Sequence, residues 1–161
     1  MTVKLRYELH DAGWADCTVE IGPDRVTASA SYLSDALDSL SGAVVSLLKG
    51  DDSAEVIFSE EPGEFRWLLT RVPPDQLRVR IYWSLPRWND QPHDVRTPIL
   101  DATCRMRTFA GQVLAELQRL FTEYGEAGYK ERWVLHDFPF KRLHQLEELL
   151  ATGPDSSRVG A

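Results

Sequence analysis

The sequence predicts an α+β domain: a six- or seven-stranded antiparallel sheet in the element order βββαββββαα, with three helices packed mainly on one face. Three observations lead to it. Apolar and polar residues alternate from Val3 to Ala30 and again from Val56 to Trp83, the period of half-buried strands. The period becomes helical between Ser31 and Gly50 and again after Thr108. The strands also follow one another across short turn signals, without the strand–helix alternation that a parallel sheet requires.

The first three strands are the plainest. Val3, Leu5, Tyr7 and Leu9 alternate with Lys4, Arg6, Glu8 and His10, and Asp11-Ala12-Gly13 turns the chain. Cys17, Val19 and Ile21 follow, then Gly22-Pro23-Asp24, then Val26, Ala28 and Ala30. This is a meander with one polar face. Next comes a helical stripe of Leu33, Ala36, Leu37, Leu40, Ala43, Val44, Leu47 and Leu48. Ser31 or Ser34 can cap that helix, Asp35 suits its positive end, and Gly50 can end it. Gly42 costs it about 1 kcal/mol relative to Ala, which fits a close neighbour there.

The central stretch reads as three more strands. Its apolar set is Val56, Phe58, Phe65, Trp67, Leu69, Val79, Ile81 and Trp83. A two-residue Pro62-Gly63 loop would set Phe58 opposite Trp67 and Val56 opposite Leu69, with a longer loop as the alternative. A second loop closing at Val72 and Gln76 sets Leu69 opposite Val79, Trp67 opposite Ile81 and Phe65 opposite Trp83. Both arrangements put the bulky residues on one face. The other face then carries Glu55, Ile57, Ser59, Arg66, Leu68, Thr70, Arg78, Arg80 and Tyr82.

Ser84 to Pro98 is a long Pro-containing loop with Trp88 and His93, and residues 99–104 offer a short further strand. A helix runs from about Thr108, its cap, to Tyr124, stopped by Gly125 or Gly128, with Tyr129 and Trp133 on one more helical turn. A last helix opens at Asp137-Phe138-Pro139, with Pro at the first position, and ends at Gly153-Pro154. Residues 1–153 thus form a single domain and 154–161 a flexible C-terminal tail.

Composition bounds the function. With 43% hydrophobic and 27% charged residues the chain is ordinary for a soluble domain. No apolar run reaches a bilayer span, and the N-terminus reads as a strand rather than a signal peptide, so a cytoplasmic protein without membrane contact is expected. The net charge of −7 is uneven. Residues 1–63 carry 4 Lys or Arg against 12 Asp or Glu, whereas residues 64–107 carry 8 Arg against 5 acids. An acidic chain repels nucleic acid unless its cations are focused.

No arrangement of residues calls for a metal, a cofactor or a nucleophile. Cys17 and Cys104 stand alone in apolar strands and read as core thiols. His10, His93 and His136 each precede an Asp, but no spacing matches a metal site. There is no nucleophile elbow and no phosphate-binding glycine loop. No catalytic residue is assigned. Two surfaces remain. The acids Asp35, Asp38, Asp51, Asp52, Glu55, Glu60, Glu61 and Glu64, with Trp88, could dock a basic partner protein or solubilise turns. Arg66, Arg78, Arg80 and Tyr82 form a second patch, open to a protein, to RNA or to water alone.

The run Glu61-Pro62-Gly63-Glu64-Phe65-Arg66-Trp67, followed by Gly128-Tyr129, Trp133 and Phe138-Pro139 before a leucine-rich helix, resembles small acidic proteins of actinobacteria. It is also similar to the acidic immunity proteins of polymorphic toxin systems. That resemblance implies a non-catalytic protein that neutralises a toxin by covering its active site. Two readings therefore stand: a protein-interaction module with an acidic surface, compatible with a homodimer, or a small-molecule binder or enzyme. The second would hold its pocket between sheet and helices, lidded by residues 84–98.

Overall fold

The structure is a computed structural model and describes residues 2–85 and 97–152. It is an α+β domain with two antiparallel sheets, of three and four strands, and three helices. The single six- or seven-stranded sheet expected from the sequence is divided.

The first sheet is the N-terminal meander: β1 (Val3–Leu9), β2 (Trp14–Ile21) and β3 (Asp24–Ser31). Leu5 opposes Val19, Tyr7 opposes Cys17, and Cys17 opposes Ala28, so the alternating apolar residues share the inner face. The second sheet holds β4 (Ser53–Ser59), β5 (Glu64–Val72), β6 (Gln76–Ser84) and β7 (Leu100–Arg105). Its second hairpin has the expected register, with Leu69 opposite Val79, Trp67 opposite Ile81 and Phe65 opposite Trp83.

The first hairpin differs by two residues. Phe58 opposes Phe65 and Val56 opposes Trp67. The loop is the longer one, Glu60 to Gly63, closed by the Glu60 amide donating to the Gly63 carbonyl at 2.8 Å. A shift of two keeps every side chain on its face, because the strand period is 2. Phe58 and Trp67 still meet, their rings 5.1 Å apart and tilted.

Side-chain contacts at two strand edges stand where a continuous sheet would have a further strand. The outer edge of β1 is occupied by α2 (Met106–Trp133). There the Leu5 amide donates to Gln112 Oε1 at 3.2 Å and the Tyr7 amide to Glu116 Oε2 at 2.9 Å, while Arg119 Nη2 donates to the Tyr7 carbonyl at 2.6 Å. Gln112, Glu116 and Arg119 are four and three residues apart, hence on one helical face, and they occupy the middle of an edge that another strand would need. At β4, the Ser59 amide donates to the Ser34 hydroxyl at 3.0 Å, so a loop rather than β3 receives it.

The first helix, α1 (Ala36–Leu48), begins later than the stripe implied. Leu33 precedes it and is 58% exposed. Ser31 and Ser34 do not cap it: the Ser31 hydroxyl accepts from the Leu33 amide, and Ser34 holds Ser59. Asp35 takes the N-cap position without a side-chain bond. The neighbour implied at Gly42 is Arg142, whose Nε would lie 3.0 Å from an added Cβ.

Thr108 likewise caps nothing, since α2 starts at Met106 with Arg105 at its N-cap. Gly125 breaks α2 with φ 68 and ψ −177, a left-handed φ that a residue with Cβ resists. The turn beyond it buries Tyr129 and Trp133. The last helix, α3 (Phe140–Ala151), has Pro139 at its N-cap rather than at the first helical position. Its expected stop at Gly153-Pro154 lies outside the described residues. α1 packs on β4, α2 on β1, and α3 on both helices, so the inner faces and helical stripes share one core. No helix among the described residues is long and apolar enough to cross a membrane.

Candidate interaction surface

The fold separates the acids that are close in sequence. β4 is seven residues long, so its ends lie roughly 20 Å apart. Asp51 and Asp52 stand at one end, where Asp51 accepts from the Ser46 hydroxyl and the Asp52 carbonyl accepts from the Arg71 amide at 2.8 Å. Glu55 points out from the sheet and is held by Arg66 at 2.6 Å. Trp88 lies outside the described residues.

The remaining acids meet at the other end. The Ser34–Ser59 bond draws the start of α1 against the tip of the β4–β5 hairpin. Asp35 and Asp38 thereby join Glu60, Glu61 and Glu64. Asp38 bridges Arg142 Nε at 3.2 Å, and Glu60 accepts from the Trp83 indole at 2.8 Å. Glu61 is exposed. Asp35 is half-buried; burial pushes its carboxyl up, opposed by His136, whose Nδ1 is 3.7 Å away.

Two further segments converge there. His136 Nε2 lies 3.0 Å from the Tyr32 carbonyl, and the Gly13 amide donates to the Arg132 carbonyl at 2.8 Å. Residues 11–13, 32–35 and 132–137 are therefore held side by side. They add Asp11, paired with Arg132 at 2.6 Å, and Asp137, paired with Lys130 at 3.1 Å. Among the described residues, seven carboxylates thus stand at this end with Lys130, Arg132 and Arg142.

The second patch is on the outward face of the four-stranded sheet, with Arg66 opposite Tyr82. Its cations are largely engaged. Arg78 makes a two-pronged bond to Asp101 at 2.8 and 2.9 Å, which lowers the Asp101 carboxyl, and Arg80 donates to Thr70 at 3.4 Å. With Glu55 and Asp101 among three arginines, the field of this face is weak.

Chemistry elsewhere is sparse. Cys17 and Cys104 are free and buried; burial raises both thiols, Cys104 to about 11, which leaves little nucleophilic thiolate. Among the described residues no group of three or more His, Cys, Asp and Glu could hold a metal. A recess of about 160 Å³ lies where α1, the β5–β6 turn and α2 meet, lined by Leu47, Leu48, Arg71, Asp75, Met106 and Arg107 among others. It contains no His or Cys.

The sequence reading named Asp35, Asp38, Glu60, Glu61 and Glu64 for this surface but not Asp11, Asp137 or His136, which the fold brings to the same end. Each lies in a turn remote in sequence from α1, so only the folded chain brings them together. The polar identity of the two turns was the one available signal. Comparison with protein-family models, with curated proteins and with solved structures finds no match.

Proposed function

We propose that the chain is a non-enzymatic protein-interaction module, immunity-like in acting by covering its target, and that it presents its acidic end to a basic partner. The observation that carries this reading is the Ser34–Ser59 bond, which holds the start of α1, with Asp35 and Asp38, against the hairpin end that carries Glu60, Glu61 and Glu64. Among the described residues the seven carboxylates outnumber Lys130, Arg132 and Arg142 at this end, an imbalance that would speed encounter with a cationic surface. Asp51, Asp52 and Glu55 are assigned no part in that contact.

The test is co-purification from the source organism at low and high salt, with the wild type and with a variant carrying Glu60→Gln, Glu61→Gln and Glu64→Gln. The wild type is expected to retain a basic protein at low salt and release it as salt rises, since screening shortens the reach of surface charge to about 8 Å at 0.15 M. The variant should retain it at least tenfold less well. Recovery of no partner at low salt, or equal retention by the variant, would remove the reading.

A further inference from the structure

We infer that Leu33, Val134 and Leu135 form the apolar anchor of this acidic end, and that its occupant is a segment of a basic protein with an apolar side chain set between cations. The inference rests on the proposed interaction reading and names what that partner must present. Leu33 is 58%, Val134 44% and Leu135 61% exposed. The bond between His136 and the Tyr32 carbonyl lies one residue from both Leu33 and Leu135, so the three exposed residues lie close together.

The chain displays these residues while burying their neighbours. Trp133 and Phe138 are sunk in the core on either side. Between them Val134 takes φ 69 and ψ −66, and the Leu135 amide donates to the Trp133 carbonyl at 2.8 Å. That is a γ-turn with positive central φ, the rarer and strained form, here at a β-branched residue. Interfaces that bind tightly set an apolar centre within a polar rim.

Charge chooses the occupant. Asp35 and Asp137 lie two residues from Leu33 and Leu135, the Ser34–Ser59 bond brings Glu60 and Glu61 to the same end, and Asp11 pairs with Arg132. Asp11 and Asp137 are 86% and 80% exposed even while paired with Arg132 and Lys130. A second copy of the chain meeting this end would set carboxylates against carboxylates, whereas lysines or arginines flanking an apolar side chain would complete both features.

The experiment compares two defined peptides by calorimetry and amide NMR: one alternating lysine with leucine, the other with serine at every leucine position. The lysine–leucine peptide is expected to bind the wild type about tenfold or more tightly than its serine counterpart, the effect of burying one or two large apolar side chains. Shifts should centre on residues 32–35 and 134–137. A Leu33→Ser, Leu135→Ser variant, checked for unchanged thermal unfolding, should bind both peptides equally.

Equal binding of the two peptides by the wild type would overturn the anchor while leaving the charge reading intact. Binding of neither would overturn both. An advantage for leucine that survives in the variant would place the anchor elsewhere and refute this one. A wild-type dimer that the variant cannot form would show a second copy to be the occupant, and would also refute it.

Discussion

Replacing Glu116 with Ala tests how the edge of β1 is held. Glu116 is 8% exposed, accepts the Tyr7 amide at 2.9 Å and pairs with Arg119 at 2.8 Å. Truncation leaves the amide of a fully buried residue unpaired, which costs about 1–3 kcal/mol. Breaking a buried ion pair costs about 3–5 kcal/mol, but Arg119 is 20% exposed and keeps Glu123 at 2.9 Å, so only part of that applies. The sum is on the order of 3 kcal/mol, a large share of the usual 5–15 kcal/mol. At this chain length it corresponds to a melting temperature lower by about 6–12 °C. Urea unfolding followed by tryptophan fluorescence gives the free energy directly. Glu123→Ala, at a surface partner, should cost under about 1 kcal/mol. A Glu116→Ala protein within about 0.5 kcal/mol of wild type, or a Glu123→Ala protein equally damaged, would refute the assignment of Glu116 as the strut of that edge.

Asp35 supplies a pH-dependent test. Its folded carboxyl binds a proton more tightly than the unfolded one, so the contribution favouring the fold is present below the ordinary carboxylate range and is lost as pH rises through the raised value. Asp35→Asn should therefore melt higher than wild type at neutral pH, with the gap narrowing on acidification; a gap that is negative at neutral pH or constant with pH would contradict this. At Gly42→Ala, the gain of about 1 kcal/mol in helix propensity is opposed by displacement of Arg142 from Asp38, and thermal unfolding should move by less than ~3 °C. In an Arg142→Ala background the same change should be plainly stabilising.

Strand positions and facing were legible because period 2 is local. Trp67 and Ile81 lie inside, and Arg78 and Arg80 lie outside, as their alternation requires. Pro73-Pro74-Asp75 also set its hairpin register correctly, since the flanking alternation allowed no other closure at Val72 and Gln76. The Glu60–Gly63 loop did not, because Pro-Gly is compatible with more than one loop length. The division into two sheets was illegible for a different reason. It depends on Gln112 and Glu116 meeting the backbone of Leu5 and Tyr7 across more than a hundred residues, and no local pattern encodes that meeting. Helix starts failed where a serine had a better use: Ser34 could be read as a cap, but its hydroxyl serves Ser59. The acidic end was half legible for the same reason, as its sequence-adjacent members were visible and those delivered by the turns at Asp11 and Asp137 were not.

Because Asp11, Leu33 and Leu135 come from three distant stretches, the contact surface proposed above exists only in the folded chain. No fragment of the polypeptide can carry it, and it vanishes with the first global unfolding event. Whatever ligand engages it must raise the thermal midpoint of the whole domain in proportion to the logarithm of its concentration over Kd. A shift in melting temperature is thus a label-free screen for candidate partners.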